Sequence, residues 1–179
     1  MSEERTPRGS ASGQTQRPES RRKFLSEDEA RRRLESWCAY QERSHQQVRR
    51  KLQQYGQGEP ATERTVTHLI TSGFLNEERF ARAYAGGKFR MKKWGRSRIE
   101  AELKRHGLSR RCITSGLKEI DDDGYRKTLI KLLKARLVKH ASETPFVRNN
   151  KAARFVIGKG YEAELVWDVL RGLVSDAGD

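Results

Sequence analysis

An all-α fold of three tandem three-helix repeats, elongated and preceded by a disordered N-terminal tail, is what this 179-residue sequence predicts, on three observations. The first is a spacing: an apolar residue, a second four positions later and a glycine four after that. It occurs at Val48, Leu52 and Gly56, at Ile99, Leu103 and Gly107, and at Ala152, Val156 and Gly160, with the glycines 51 and 53 residues apart. A helical pattern returning at about 50 residues marks stacked units that bury their apolar faces against one another. The second is a set of helix-start signals at matching places in each unit. The third is composition: 34% hydrophobic and 35% charged residues fit thin cores in a surface-rich molecule better than one large core.

Residues 1–23 are rich in Ser, Thr, Gly, Gln, Pro and Arg, with Met1 as their single large apolar residue. Nothing there offsets the entropy of ordering, so this segment reads as a disordered basic tail, either an electrostatic tether or a solvated arm. The first unit, residues 24–73, opens on a capping box at Ser26-Glu27-Asp28-Glu29 and carries Ala30, Leu34, Trp37 and Cys38. A second box, Ser44 to Gln47, starts a short helix that Gly56 ends. Pro60 suits the first turn of a third helix, with Val66, Leu69 and Ile70 at i, i+3 and i+4.

The second unit, residues 74–120, begins at a hinge. Gly73 is a C-cap, Asn76 an N-cap, and Leu75 and Phe80 have the spacing of a hydrophobic staple. Glu77 and Glu78 sit where the helix dipole favours negative charge. A long helix through Phe80, Ala83 and Tyr84 follows, then a short one with Ile99 and Leu103, then a third through Leu117 and Ile120. Leu108 and Ile113 flank its Ser109 cap with staple spacing. In the third unit, residues 121–175, Asp121-Asp122-Asp123 caps a long helix with Leu129, Leu132, Leu133, Leu137 and Val138. A short helix with Ala152 and Val156 and an apolar stripe at Val166, Val169, Leu170, Leu173 and Val174 complete it, and residues 176–179 form a C-terminal tail.

Catalytic patterns are absent from the sequence. Neither Gly86-Gly87-Lys88 nor Gly158-Lys159-Gly160 has the strand before it or the Lys-Ser/Thr pair of a phosphate-binding loop. The Asp121 to Gly124 run lacks calcium ligands in register, and His45, His68, His106 and His140 stand at no metal-ligand spacing. Cys38 and Cys112 are too few and too far apart for a disulfide framework and are assigned to core packing. The expectation is a non-enzymatic, cytoplasmic chain without cofactor or metal. No apolar run approaches the roughly 18 residues of a membrane span, and the N-terminus has no secretory apolar region.

The charge does point somewhere. Lys and Arg total 38 against 24 Asp and Glu, a net +14 that favours polyanionic partners. Arg43, Arg49, Arg50 and Lys51 gather around the first short helix; Arg79 and Arg82 follow the hinge. Lys88, Arg90, Lys92, Lys93, Arg96 and Arg98 surround Phe89 and Trp94, and Lys104, Arg105, Arg110 and Arg111 close the band. Such a band can neutralise phosphates, lie against acidic protein loops, or be a solvated helix surface. Phe89 and Trp94 can stack on bases or pack in the core.

The run Gly73-Phe74-Leu75-Asn76-Glu77-Glu78-Arg79-Phe80-Ala81, then Gly95-Arg96-Ser97-Arg98-Ile99-Glu100-Ala101-Glu102-Leu103 and Gly107-Leu108, resembles the signature core of the RecX family of bacterial recombination regulators. Arg43-Ser44 with Val48 and Lys51-Leu52, and Ala152-Ala153-Arg154-Phe155 with Gly160-Tyr161, resemble its first and last repeats. The resemblance covers about residues 27–174 and implies a monomer that binds the RecA recombinase filament on single-stranded DNA and lowers its ATP hydrolysis and strand exchange. It carries over no active site. Gln47 stands where the family usually has an acidic residue, and Gly86-Gly87 loosens the long second helix. The alternatives are a stand-alone nucleic-acid-binding protein whose three-helix units act as helix-turn-helix modules, and an adaptor for another acidic protein.

Overall fold

The structure, a computed structural model, describes residues 24–175; the expected tails, 1–23 and 176–179, lie outside the described residues. Those residues form nine helices and no strand: α1 Glu27–Tyr40, α2 His45–Gln54, α3 Glu59–Thr71, α4 Glu77–Lys92, α5 Arg96–Arg105, α6 Arg110–Leu117, α7 Asp122–Lys139, α8 Pro145–Gly158 and α9 Ala163–Ser175.

The start signals work as short side chains taking orphan backbone donors. Ser26, Ser44, Asn76, Ser109 and Asp121 accept from the backbone N–H three residues on. At Ser44 the box is complete, since the Gln47 side chain returns to the Ser44 N–H at 3.0 Å, so an amide serves there as well as a carboxylate. At Ser26 it is half-formed: the Glu29 carboxylate turns to Arg33 at 2.6 Å instead. The three spaced glycines end their helices alike. Gly56, Gly107 and Gly160 have φ of +79°, +78° and +94°, a region open to glycine at little cost. The next N–H donates back to the Leu52, Leu103 and Val156 carbonyls at 3.0, 3.3 and 3.3 Å, the long bond of a Schellman motif. Each unit therefore caps its second helix on the same residue that anchors it in the core.

The core is in two parts. Ala30, Leu34, Cys38, Val48, Leu52, Val66, Leu69 and Leu75 close the first. The second runs without a break from Phe80 through Ile99, Leu103, Ile113, Tyr125, Leu129 and Leu133 to Val156, Tyr161 and Leu170. The helices from α4 to α9 thus share one interior, and α1 to α3 keep their own. Between the two interiors the bridges are polar: Ser44 Oγ to His106 Nδ1 at 3.3 Å, His45 to Glu77 at 3.4 Å and Arg79 to Glu42 at 2.8 Å.

Several expectations change. Leu75 and Phe80 are both buried but in different interiors, so no staple sets the entry of α4. The Arg79 guanidinium holds that corner, on the Gly73 carbonyl at 2.8 Å and on Glu42. Ile70 is 43% exposed because the buried stripe of α3 runs Thr62, Thr65, Val66, Leu69; at 3.6 residues per turn Ile70 falls about 90° from its centre. Val138 lies opposite the Tyr125, Leu129, Leu133 face of α7 and faces out. Ile120 is buried beyond the end of α6. Helix α8 has 14 residues against 10 for α2 and α5, since Pro145 starts it early. Gly86 and Gly87 do not interrupt α4. Cys38 and Cys112 are buried, as expected of core residues.

Candidate partner-binding surface

The structure splits the basic band by what each cation touches. One group is held inside the fold. Arg49 grips both Glu63 carboxylate oxygens and approaches Glu59 at 3.5 Å, tying α2 to α3, and its hydrogen bond keeps Glu63 below the usual carboxylate range. Arg79 holds the hinge. Arg82 meets Glu78 at 3.0 Å, Ser115 at 3.1 Å and Glu119 at 3.7 Å, joining α4 to α6. Arg96 donates to the Ile120 carbonyl at 2.7 Å and to Asp122 at 2.6 Å, with its guanidinium 4.4 Å over the Tyr125 ring. Lys104 and Arg105 pair along α5 with Glu100 and Glu102, at 2.6 and 2.8 Å.

A second group lies on aromatic faces. Arg43 sits 4.1 Å over Trp37 and Lys51 5.3 Å over Tyr55. Lys88 and Arg98 bracket Trp94 at 5.1 and 4.1 Å. Trp94 and Phe89 are half-buried against the second core, and Phe89 lies 5.9 Å from Tyr125, so both rings pack in the interior as well.

The third group is uncompensated. Arg50, Arg90, Lys92, Lys93, Arg110 and Arg111 are exposed and have no carboxylate within ion-pair distance among the described residues. Helices α5 and α6 open on arginines with no acid in the first turn. The helix dipole disfavours that arrangement by about 0.3–1 kcal/mol per charge. Arg110 and Arg111 are therefore not placed for stability, whereas Arg90, Lys92 and Lys93 close α4 at the end where its dipole favours cations. Lys93 ends α4 at φ +54° and donates to the Arg90 carbonyl at 2.7 Å, which holds the corner of the patch.

Sequence spacing missed what the seam between the second and third units adds. The Gly95 N–H donates to the Lys159 carbonyl at 2.8 Å and the Ser97 N–H to the Gly160 carbonyl at 3.1 Å. Lys159 in turn reaches the Lys92 carbonyl at 3.3 Å, so a cation 67 positions away joins the patch. Beneath it Tyr125 and Tyr161 stack at 4.7 Å, and the Tyr125 hydroxyl donates to Glu162 at 2.8 Å while accepting from the Arg96 N–H at 3.0 Å. Burial pushes both phenols up, Tyr161 to about 12. Also missed was a groove between α1 and α2 in which Arg32, Trp37, Lys51 and Tyr55 meet. No cluster of His, Cys, Asp or Glu able to hold a metal occurs among the described residues. None of their helices is long and apolar enough to cross a membrane.

Comparison with known proteins follows the same lines. Residues 76–117 match the family model described as RecX, second three-helix domain. The regulatory protein RecX of Clostridium perfringens (strain 13 / Type A) is 27% identical over 136 residues, 75% of this chain and 63% of that protein. The regulatory protein RecX of Mycobacterium sp. (strain KMS) is 26% identical over 132 residues, 72% of each. The crystal structure of RecX from Lactobacillus salivarius has a TM-score of 0.74 at 16% identity, covering 82% of this chain and 96% of that one. A second crystal structure, of regulatory protein RecX, has a TM-score of 0.71 at 17% identity, over 79% of this chain and 71% of the other. At these identities the structural likeness is one of fold. The chain spans 63% of the length of the Clostridium perfringens relative.

Proposed function

From the premise that this chain belongs to the RecX family, we propose that it binds the RecA recombinase filament on single-stranded DNA and restrains its ATP hydrolysis and strand exchange, by docking and without turnover of its own. The three units, 24–73, 74–120 and 121–175, act in this reading as modules of a cytoplasmic monomer that touch neighbouring protomers, so that weak contacts multiply. The observation that carries it is the set of uncompensated cations: Arg90, Lys92 and Lys93, with Arg110 and Arg111, are exposed and have no carboxylate within ion-pair distance among the described residues. They suit acidic filament surface or phosphate. A direct contact with the strand is supported by the α1–α2 groove, where Trp37 and Tyr55 accompany Arg32 and Lys51.

The test separates pins from the patch. The quadruple variant Arg90→Ala, Lys92→Ala, Lys93→Ala, Arg110→Ala keeps its melting temperature within a few degrees and loses most of the slowing of RecA's DNA-dependent ATPase. Arg96→Ala loses stability instead, since the Ile120 carbonyl and Asp122 lose their donor. Undiminished slowing by the quadruple variant removes the patch from the interface. Tight, steeply salt-dependent binding of DNA without RecA, with no effect on the filament, favours the stand-alone nucleic-acid-binding alternative.

A further inference from the structure

We infer that Tyr40, Met91 and Val138 are three copies of one docking knob, each shaped to enter an apolar pocket on a separate subunit of a polymeric partner. They are 87%, 79% and 76% exposed. Each closes the first helix of its unit: Tyr40 is the last residue of α1, and Met91 and Val138 are the next to last of α4 and α7. Tyr40 and Met91 both stand 16 residues before their left-handed glycines, Gly56 and Gly107. Val138 stands 22 before Gly160, and four of the extra residues are the added length of α8.

The interior does not require them. Leu34 and Cys38 bury α1, Ala81 and Ala85 bury α4, and Leu129 and Leu133 bury α7. A single exposed apolar side chain is ordinary on any surface. The same helix end carrying one in all three units is a repeated device, and a repeated device fits a partner that repeats. A polymer of identical subunits presents one pocket at regular intervals.

The surroundings give the chemistry of that pocket. Arg90, Lys92 and Lys93 surround Met91, and the exposed Lys134 and Lys139 flank Val138. Beside Tyr40 the charges are already engaged, Glu42 by Arg79 and Arg43 by Trp37. An apolar pocket with an acidic rim satisfies the second and third knobs fully and the first through its ring. This rests on the filament reading above and adds to it the contact that sets register: the knobs choose the subunits, and the cations steer the approach.

The experiment measures binding of labelled full-length chain to RecA filaments assembled on oligo-dT, by fluorescence anisotropy. Tyr40→Ser, Met91→Ser and Val138→Ser each weaken binding about five- to tenfold, and the triple variant more than about a hundredfold, the behaviour of linked anchors. Phe24→Ser, an equally exposed apolar residue outside the repeated position, binds as wild type, and circular dichroism melts confirm the fold of every variant. A triple variant that binds as wild type overturns the knobs and leaves the filament reading standing. Wild-type chain that fails to bind the filaments overturns both.

Discussion

Replacing Gly95 with alanine drives a methyl group into the backbone of another unit. An added Cβ would lie 2.1 Å from both the carbonyl carbon and the oxygen of Gly160 and 2.3 Å from the Tyr161 nitrogen, where ordinary contact begins at 3.4 Å. Backbone on both sides leaves no flexible side chain to swing away, so the α4–α5 and α8–α9 turns have to separate. Overpacking of this kind costs about 1–3 kcal/mol. Parting the turns also breaks the Gly95 to Lys159 and Ser97 to Gly160 hydrogen bonds, at about 0.5–1.5 kcal/mol each. The expected loss is about 2–6 kcal/mol, read as a lower urea midpoint by far-UV circular dichroism. Gly107→Ala is the internal standard. Gly107 has φ +78° but open space around it, so alanine there meets the left-handed backbone penalty alone, about 1–2 kcal/mol. A Gly95→Ala protein no less stable than Gly107→Ala refutes the claim that the second and third units are fused through this contact.

Two further outcomes follow from a half-buried histidine and a buried tyrosine. Burial first, then the charges of Arg50 and Lys88, hold the His106 imidazole below its ordinary value of 6.5, with Glu102 opposing. The unfolded chain therefore takes up that proton before the folded one, and stability is lost as pH falls below about 6.5; His106→Gln flattens the fall in melting temperature between pH 7 and pH 5.5, and an unchanged slope contradicts the assignment. Tyr125→Phe strands the Arg96 N–H and removes the donor to Glu162; it lowers stability by about 1–3 kcal/mol in chemical denaturation, while a loss below 0.5 kcal/mol means those bonds carry nothing.

The fold was legible wherever the cause is local. Asn76, Ser44, Ser109 and Asp121 cap helices because a short side chain reaches an N–H three residues away, and Gly56, Gly107 and Gly160 end them because the turn needs φ above zero. The surface was less legible because its sorting is tertiary. Arg49 meets Glu63, Arg79 meets Glu42 and Arg96 meets Asp122 across 14, 37 and 26 residues. In sequence these arginines are indistinguishable from Lys92 or Arg110, which find no such partner among the described residues. Gly95 is a further case: its φ is ordinary, −77°, so nothing local marks it, and its role lies in the approach of Gly160. Ile70 and Val138 fit a helical apolar spacing yet fall off the stripes that Thr62 and Tyr125 join, because burial follows the packed neighbour as well as hydropathy.

The most direct measurement adds the purified chain to preformed RecA filaments on single-stranded DNA and follows ATP turnover at several salt concentrations. Turnover falls on addition, and the effect weakens as salt rises, since screening acts first on exposed cations such as Lys92 and Lys93. Turnover that is unchanged at every salt concentration contradicts the account.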